Sequence, residues 1–202
     1  MGRLRKIAAS LAGLGLVVTA LVSVGIANSA AYENTVRSYV HKMFDPVTRS
    51  SCSAVMIAPE RAMTARHCID MPSPLLKVNG EVYAVTEAYG NPDVDMAVII
   101  VPGAPCPCAP VATERAQIDD LIRAVGYPLG LLQIVTEGAL QGRATFEDGK
   151  EYLVVTARVA PGMSGGGLFN KQGELVGIIS AMDEYGLLVI AVEVLTQTFG
   201  DK

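Results

Sequence analysis

Four prolines between Pro102 and Asp120, at Pro102, Pro105, Pro107 and Pro110, most constrain what this chain can fold into. A proline offers no backbone donor, so this stretch cannot be a central strand and reads as a linker. It separates two sets of short apolar runs. Before it, Ala54–Ile57, Ala62–Thr64, Leu75–Val78, Val82–Val85 and Met96–Val101 read as strands, broken by Pro59-Glu60, Asn79-Gly80 and Gly90-Asn91-Pro92. Asn79-Gly80 has the composition of a two-residue hairpin turn. After it come Leu121–Gly126, Leu132–Leu140, Tyr152–Thr156, Gly166–Phe169, Leu175–Ser180 and Leu187–Val192, with turns at Asp148-Gly149 and Gln172-Gly173. Two groups of five or six strands fit two small antiparallel barrels; by strand count alone, one large sandwich fits too.

Composition agrees with a β-rich protein. Half of the 202 residues are apolar, yet there are four Phe, seven Tyr and no Trp, so the core must be aliphatic. The net charge is −4 and no basic stripe with interleaved aromatics occurs, which leaves nucleic-acid binding without support.

Residues 1–31 differ from the rest. Arg3, Arg5 and Lys6 precede an uncharged apolar run from Ile7 to Ile26, followed by small residues at Ala27, Ser29, Ala30 and Ala31. This is the pattern of a secretory signal cleaved near Ala31; uncleaved, residues 7–26 are long enough to anchor the chain in a membrane. Either way the remainder is expected to be extracytoplasmic. Residues 32–50 form an N-terminal extension, in which Val36, Tyr39, Val40 and Met43 fall at helical spacing before a break at Asp45-Pro46.

Export makes disulfides admissible. A bridge between Cys52 and Cys68 would close a loop around the strand that leads to His67, contributing about 3 kcal/mol in the chain-entropy treatment. Cys106 and Cys108 stand one residue apart: a strained bridge, free thiols and a partner chain are all open, and two thiolates are too few for a structural zinc site. Neither a metal nor a cofactor is expected.

Three segments carry residues suited to acyl transfer. His67 follows a strand and precedes Cys68, so its imidazole would be held at a fixed place, as a general base requires. His41, the other histidine, has no such setting and reads as structural or exposed. Ser164 sits in Gly162-Met163-Ser164-Gly165-Gly166, where glycines would let backbone N–H groups converge on a carbonyl oxygen. Gly-x-Ser-x-Gly also matches the elbow of α/β-hydrolases, but that fold needs its histidine after the serine, and no histidine follows position 67. Of the intervening carboxylates, Asp95 at the threshold of Met96–Val101 suits an orienting role better than Asp93 on the loop.

These residues resemble the chymotrypsin-like, trypsin-fold serine proteases. Thr64-Ala65-Arg66-His67-Cys68 is similar to that family's Thr-Ala-Ala-His-Cys, and Asp95-Met96-Ala97-Val98 to its Asp-Ile-Ala-Leu. Gly162-Met163-Ser164-Gly165-Gly166 resembles Gly-Asp-Ser-Gly-Gly, and Cys52 and Cys68 have the spacing of the histidine-loop disulfide. Within the family the likeness is to bacterial HtrA-like and glutamyl-endopeptidase-like members, through Val125-Gly126-Tyr127-Pro128-Leu129-Gly130 and Val135-Thr136-Glu137-Gly138. No PDZ-like domain is expected after Val194.

The resemblance implies an all-β fold of two six-stranded antiparallel barrels, with the site in the cleft between them. Residues 51–110 would form the first and 111–202 the second. It further implies a serine endopeptidase acting on protein or peptide substrates, with His67, Asp95 and Ser164 as catalytic triad and the Gly162 and Ser164 N–H groups as oxyanion hole. The alternative is a catalytically inactive binding module on the same fold. Arg158, Ser180 and Met182 are the expected substrate-binding positions; Arg158 turned inward would favour acidic side chains and turned outward small or apolar P1 residues, the latter being favoured. Two departures stand out: Met163 replaces the acid of zymogen-activated members, and Gly167, replacing a usual proline, would loosen the strand after Ser164.

Overall fold

The computed structural model describes residues 30–90 and 92–195. The apolar run at 7–26 lies outside them. Among the described residues no helix is long and apolar enough to cross a membrane. The chain divides into two units, Met1–Thr35 and Val36–Lys202. In the first, the described residues are helical, and the Thr35 hydroxyl donates to the Ala31 carbonyl at 2.9 Å.

Among the described residues the second unit contains thirteen strands. Seven form one antiparallel sheet: β1 (Val40–Phe44), β2 (Ser51–Ala58), β3 (Arg61–Thr64), β4 (Leu75–Val78), β5 (Glu81–Ala84), β6 (Glu87–Gly90) and β7 (Ala97–Ile100). Their spatial order is β5-β4-β1-β2-β3-β7-β6, and the sheet curls into a half-barrel. The other six close a barrel in the order β10-β13-β12-β11-β8-β9. They are β8 (Leu121–Gly126), β9 (Ile134–Thr145), β10 (Glu151–Val155), β11 (Gly167–Phe169), β12 (Leu175–Met182) and β13 (Val189–Glu193). The two-lobed, nearly all-β architecture expected from the sequence is observed, with the first lobe a seven-stranded half-barrel in place of a six-stranded barrel.

Two local differences have physical causes. Val40 and Met43, read at helical period, belong to strand β1, and the helix ends at residue 39. Here β1 pairs with β2 on one side and β4 on the other, and two ladders of backbone hydrogen bonds override a weak periodicity. Strand β6 was not anticipated because all four of its residues are exposed and it lies at the sheet edge, so no apolar alternation marks it. At the β4–β5 turn, Asn79 and Gly80 have φ of 51° and 95°, the left-handed pair that a tight hairpin needs.

Each lobe has its own aliphatic core. Met43, Met56, Leu76 and Ile99 are fully buried in the first; Ile122, Leu140, Leu153 and Leu168 fill the second. The proline-rich linker contains no named strand. Its Ala109 N–H donates to the Met56 carbonyl in the first lobe (2.8 Å), and Ala112 and Pro110 exchange backbone bonds with Leu175 in the second. Gly167 does not loosen β11. It is buried and paired on both sides, and the space a Cβ would occupy is taken by the Phe169 ring and Leu175.

Candidate active site

His67 lies in a 3-10 turn, Arg66–Asp70, that follows β3 directly. The turn is pinned at Cys68, which is buried and joined to Cys52 on β2, with the two Cα atoms 6.2 Å apart. Asp95 lies in the turn before β7, the strand that pairs with β3, so adjacent strands deliver both side chains to the same end of the sheet. The His67 ring nitrogen Nδ1 is 2.8 Å from Asp95 Oδ2, and the His67 backbone N–H donates to Oδ1 at 2.9 Å. Asp93 is exposed on the preceding loop.

A third donor comes from the other lobe. The Ser180 hydroxyl, on β12, donates to Asp95 Oδ2 at 2.6 Å. Burial alone would raise the Asp95 pKa, but the His67 ring, the Ser180 hydroxyl and the His67 N–H outweigh it and hold the carboxyl at about 2. Asp95 in turn raises the His67 pKa, chiefly through the ring hydrogen bond and against burial. With Nδ1 committed to Asp95, Nε2 is the remaining ring nitrogen, and it has no hydrogen-bond partner among the described residues.

Ser164 is half-buried and lines, with His67 and Gly162, a cavity of about 430 Å³. Its hydroxyl makes no hydrogen bond to a described residue, Nε2 included; in unliganded sites such bonds are often long and tighten only when substrate binds. The turn around it is fixed from several directions. The Pro161 carbonyl accepts from the Leu129 N–H (2.6 Å), and the Gly162 carbonyl accepts from the Ser53 hydroxyl (2.9 Å). The Ser164 carbonyl accepts from the Ser53 N–H (2.8 Å). The Pro161, Gly162 and Met163 carbonyls ahead of Ser164 are thus all turned to protein donors, the last to the Gly166 N–H, while the Gly162 and Ser164 N–H groups have no acceptor among the described residues.

Glycine is required here. Gly162 and Gly165 have φ of 95° and 82°, and a Cβ on Gly165 would collide with the Ser53 carbonyl and the Thr64 hydroxyl. Met163 is fully buried in the second core and packs on Gly126, so an apolar anchor occupies the position where an acid was noted as missing. Across the cavity, the buried Asp45 carboxylate accepts the N–H groups of Val47 (2.7 Å), Thr48 (3.3 Å) and Ser73 (3.2 Å), shaping the wall formed by Thr48, Ser50 and Pro72.

The profile of the family described as "Trypsin-like peptidase domain" matches residues 52–178. The chain belongs to that family. Among relatives of this trypsin-like peptidase domain, HhoA of Synechocystis sp. is 37% identical over 98 residues, 44% of this chain and 25% of its own. A "Probable periplasmic serine endoprotease DegP-like" of Pseudomonas savastanoi pv. phaseolicola is 30% identical over 140 residues, 66% of this chain and 29% of its own. The match therefore spans about a quarter of the length of such relatives. The same fold occurs in the active form of the Rv3671c protease from M. tuberculosis (TM-score 0.72, 20% identity, 81% of this chain and 79% of that one). It occurs also in the HtrA-type protease AlgW with tripeptide (TM-score 0.72, 23% identity, 81% and 60%).

The remaining positions singled out from sequence fall as follows. Arg158 is exposed, and its carbonyl accepts from the Thr136 hydroxyl at 2.7 Å. Met182 is 37% exposed at the end of β12. The Cys52 and Cys68 sulfurs and a His67 nitrogen lie within 4.8 Å of one another, but sulfurs spent in a disulfide cannot serve as thiolate ligands. His41 is not exposed: it is buried on β1, with no partner for Nε2 among the described residues and its pKa lowered by burial to about 4. Ser53 was missed by sequence reasoning. Its only signal is a hydroxyl among the apolar buried residues of β2.

Proposed function

We propose that the chain is an HtrA-like serine endopeptidase in which Ser164 attacks the scissile carbonyl. His67 Nε2 takes the hydroxyl proton as general base and returns it to the leaving amine. Asp95 keeps Nδ1 protonated and steadies the imidazolium, and Ser180 keeps Asp95 ionised. The Gly162 and Ser164 N–H groups receive the oxyanion, each worth about 3 kcal/mol of barrier. The acyl-enzyme on Ser164 is then hydrolysed by water through the same histidine.

One observation carries this reading: among the described residues the Gly162 and Ser164 N–H groups have no acceptor, while the Pro161 and Gly162 carbonyls are held by the Leu129 N–H and the Ser53 hydroxyl. That is the arrangement an oxyanion requires, and a collapsed, inactive turn would spend those donors internally. The AlgW structures with tripeptide and decapeptide support a peptide substrate. The periplasmic relatives support an extracytoplasmic location, to which a signal or anchor at residues 1–31 would direct the chain; residues 51–110 together with β1 from the N-terminal extension make the first lobe, and residues 111–202 hold the second. The exposure of Arg158 supports its outward alternative and, with it, small or apolar P1 residues.

A fluorophosphonate probe should label Ser164 in the wild type and leave Ser164→Ala unlabelled. A peptide-library digest should show cleavage after small or apolar residues. Folded protein that neither reacts nor cleaves would overturn the reading.

A further inference from the structure

Cys106 and Cys108 lie outside the site described above and take no part in its hydrogen bonds. We propose that they form a redox-active disulfide that exchanges with exposed thiol pairs of other polypeptides. The inference stands on the pair itself and not on the peptidase reading.

The bridge does little structural work. It joins residues only two positions apart, and the entropy removed from an unfolded chain grows with loop length, so this ring restricts it least. The backbone around it is fixed by other means. Ala104 N–H donates to the Val101 carbonyl (3.1 Å), Glu60 N–H to the Ala104 carbonyl (3.2 Å), and Ala109 N–H to the Met56 carbonyl (2.8 Å). Ala104 and Ala109, on either side of the pair, are 2% and 3% exposed.

Access separates the two bridges. Cys52 and Cys68 are 5% and 1% exposed, whereas Cys106 and Cys108 are half-exposed on either side of exposed Pro107, Cys108 resting on the edge of the first core. A disulfide closed over one residue and open to solvent belongs to the oxidising, labile kind. Fixed proline φ angles and the anchored flanks hold the two sulfurs near one another after reduction, so closure stays intramolecular. No charged residue lies from Val101 to Thr113, which suits an approaching apolar segment such as an incompletely folded chain with two reduced cysteines.

In the exchange, a substrate thiolate attacks one Sγ of the pair. The Sγ–Sγ bond breaks, and the other cysteine leaves as a thiolate with the electron pair. The second substrate thiolate then attacks the substrate sulfur of the mixed disulfide and releases the first cysteine. Two electrons pass from the substrate dithiol, which becomes a disulfide, to the Cys106/Cys108 pair, which takes up two protons.

The test equilibrates the full chain in a series of reduced and oxidised glutathione, quenches with acid, labels thiols with maleimide and maps the labelled peptides. Cys106 and Cys108 should open together at a ratio [GSH]²/[GSSG] at least about tenfold lower than the Cys52–Cys68 bridge. Oxidised protein should also convert a dithiol peptide to its disulfide one for one, and Cys108→Ser, checked for native circular dichroism, should not. Opening of both bridges at one ratio would overturn the proposal. So would free thiols, or bonds to a second chain, at Cys106 and Cys108 in the oxidised protein.

Discussion

Ser53 and Gly162 are joined across the cleft: the buried Ser53 hydroxyl, from the first lobe, donates to the Gly162 carbonyl at 2.9 Å and accepts from the Tyr127 N–H at 2.9 Å. This side chain is thus one of the groups that fix the turn presenting the Gly162 and Ser164 N–H groups. In Ser53→Ala both partners lose their bond in a partly buried place, at a cost of about 1 kcal/mol. Urea unfolding should show that loss, and kcat should fall about tenfold with KM little changed. An unaltered kcat would mean that the hydroxyl supports the fold but not the turn.

Gly162→Ala probes the same turn from the other side. At φ of 95° a Cβ would meet the Tyr127 carbonyl at 2.6 Å and the Leu129 nitrogen at 2.8 Å, displacing the donor that holds the Pro161 carbonyl. We expect native circular dichroism with kcat lowered about 10²–10³-fold, the effect of losing one oxyanion donor. Near-normal turnover would count against the assigned hole.

The pH dependence follows from His67 and Asp95. Neutral His67 is the working base and Asp95 raises its pKa, so kcat/KM should fall on the acid side with a midpoint above 6.5. Asp95→Asn should move the midpoint down and cut the rate about 10⁴-fold. The same pair affects stability in two windows. Asp95, held at about 2 against an ordinary 3.8, contributes about 2 kcal/mol that is present above pH 3.8 and lost as pH falls toward 2. The His67 contribution is full below pH 6.5 and is lost as pH rises through its raised value. A pH–rate midpoint unmoved by Asp95→Asn would contradict the pairing.

Buried His41 acts in the opposite sense. Its folded pKa, about 4, lies below the ordinary 6.5, so the unfolded chain takes up a proton first and stability drains away as pH falls between those values. The loss amounts to about 3 kcal/mol by pH 4. Urea midpoints of wild type and His41→Leu, compared at pH 7 and pH 4.5, isolate it: the variant should be the less sensitive of the two. Equal sensitivity would show that His41 protonates without penalty.

Much of this architecture could be read from the chain because its punctuation is chemical. Four prolines marked the linker, Asn79-Gly80 marked a hairpin, and the runs Leu75–Val78 and Leu121–Gly126 coincide with β4 and β8. What escaped were elements defined by partners distant in sequence. Strand β6 has no buried face, β1 is a strand because β2 and β4 flank it, and Ser53 matters through groups 74 and 109 positions away. Ser180 was expected beside a substrate pocket, and its bond to Asp95 spans 85 positions. Periodicity records which face of a segment is apolar; it carries no record of what lies opposite.

Asp95 receives His67 through one oxygen pair and Ser180 from the facing lobe, so it works as a rivet through two plates. Prising the plates apart strips the rivet before either plate bends. In a urea titration, turnover should accordingly vanish at concentrations where far-ultraviolet ellipticity is still intact. Coincident loss of both signals would mean that the lobes part only when they melt.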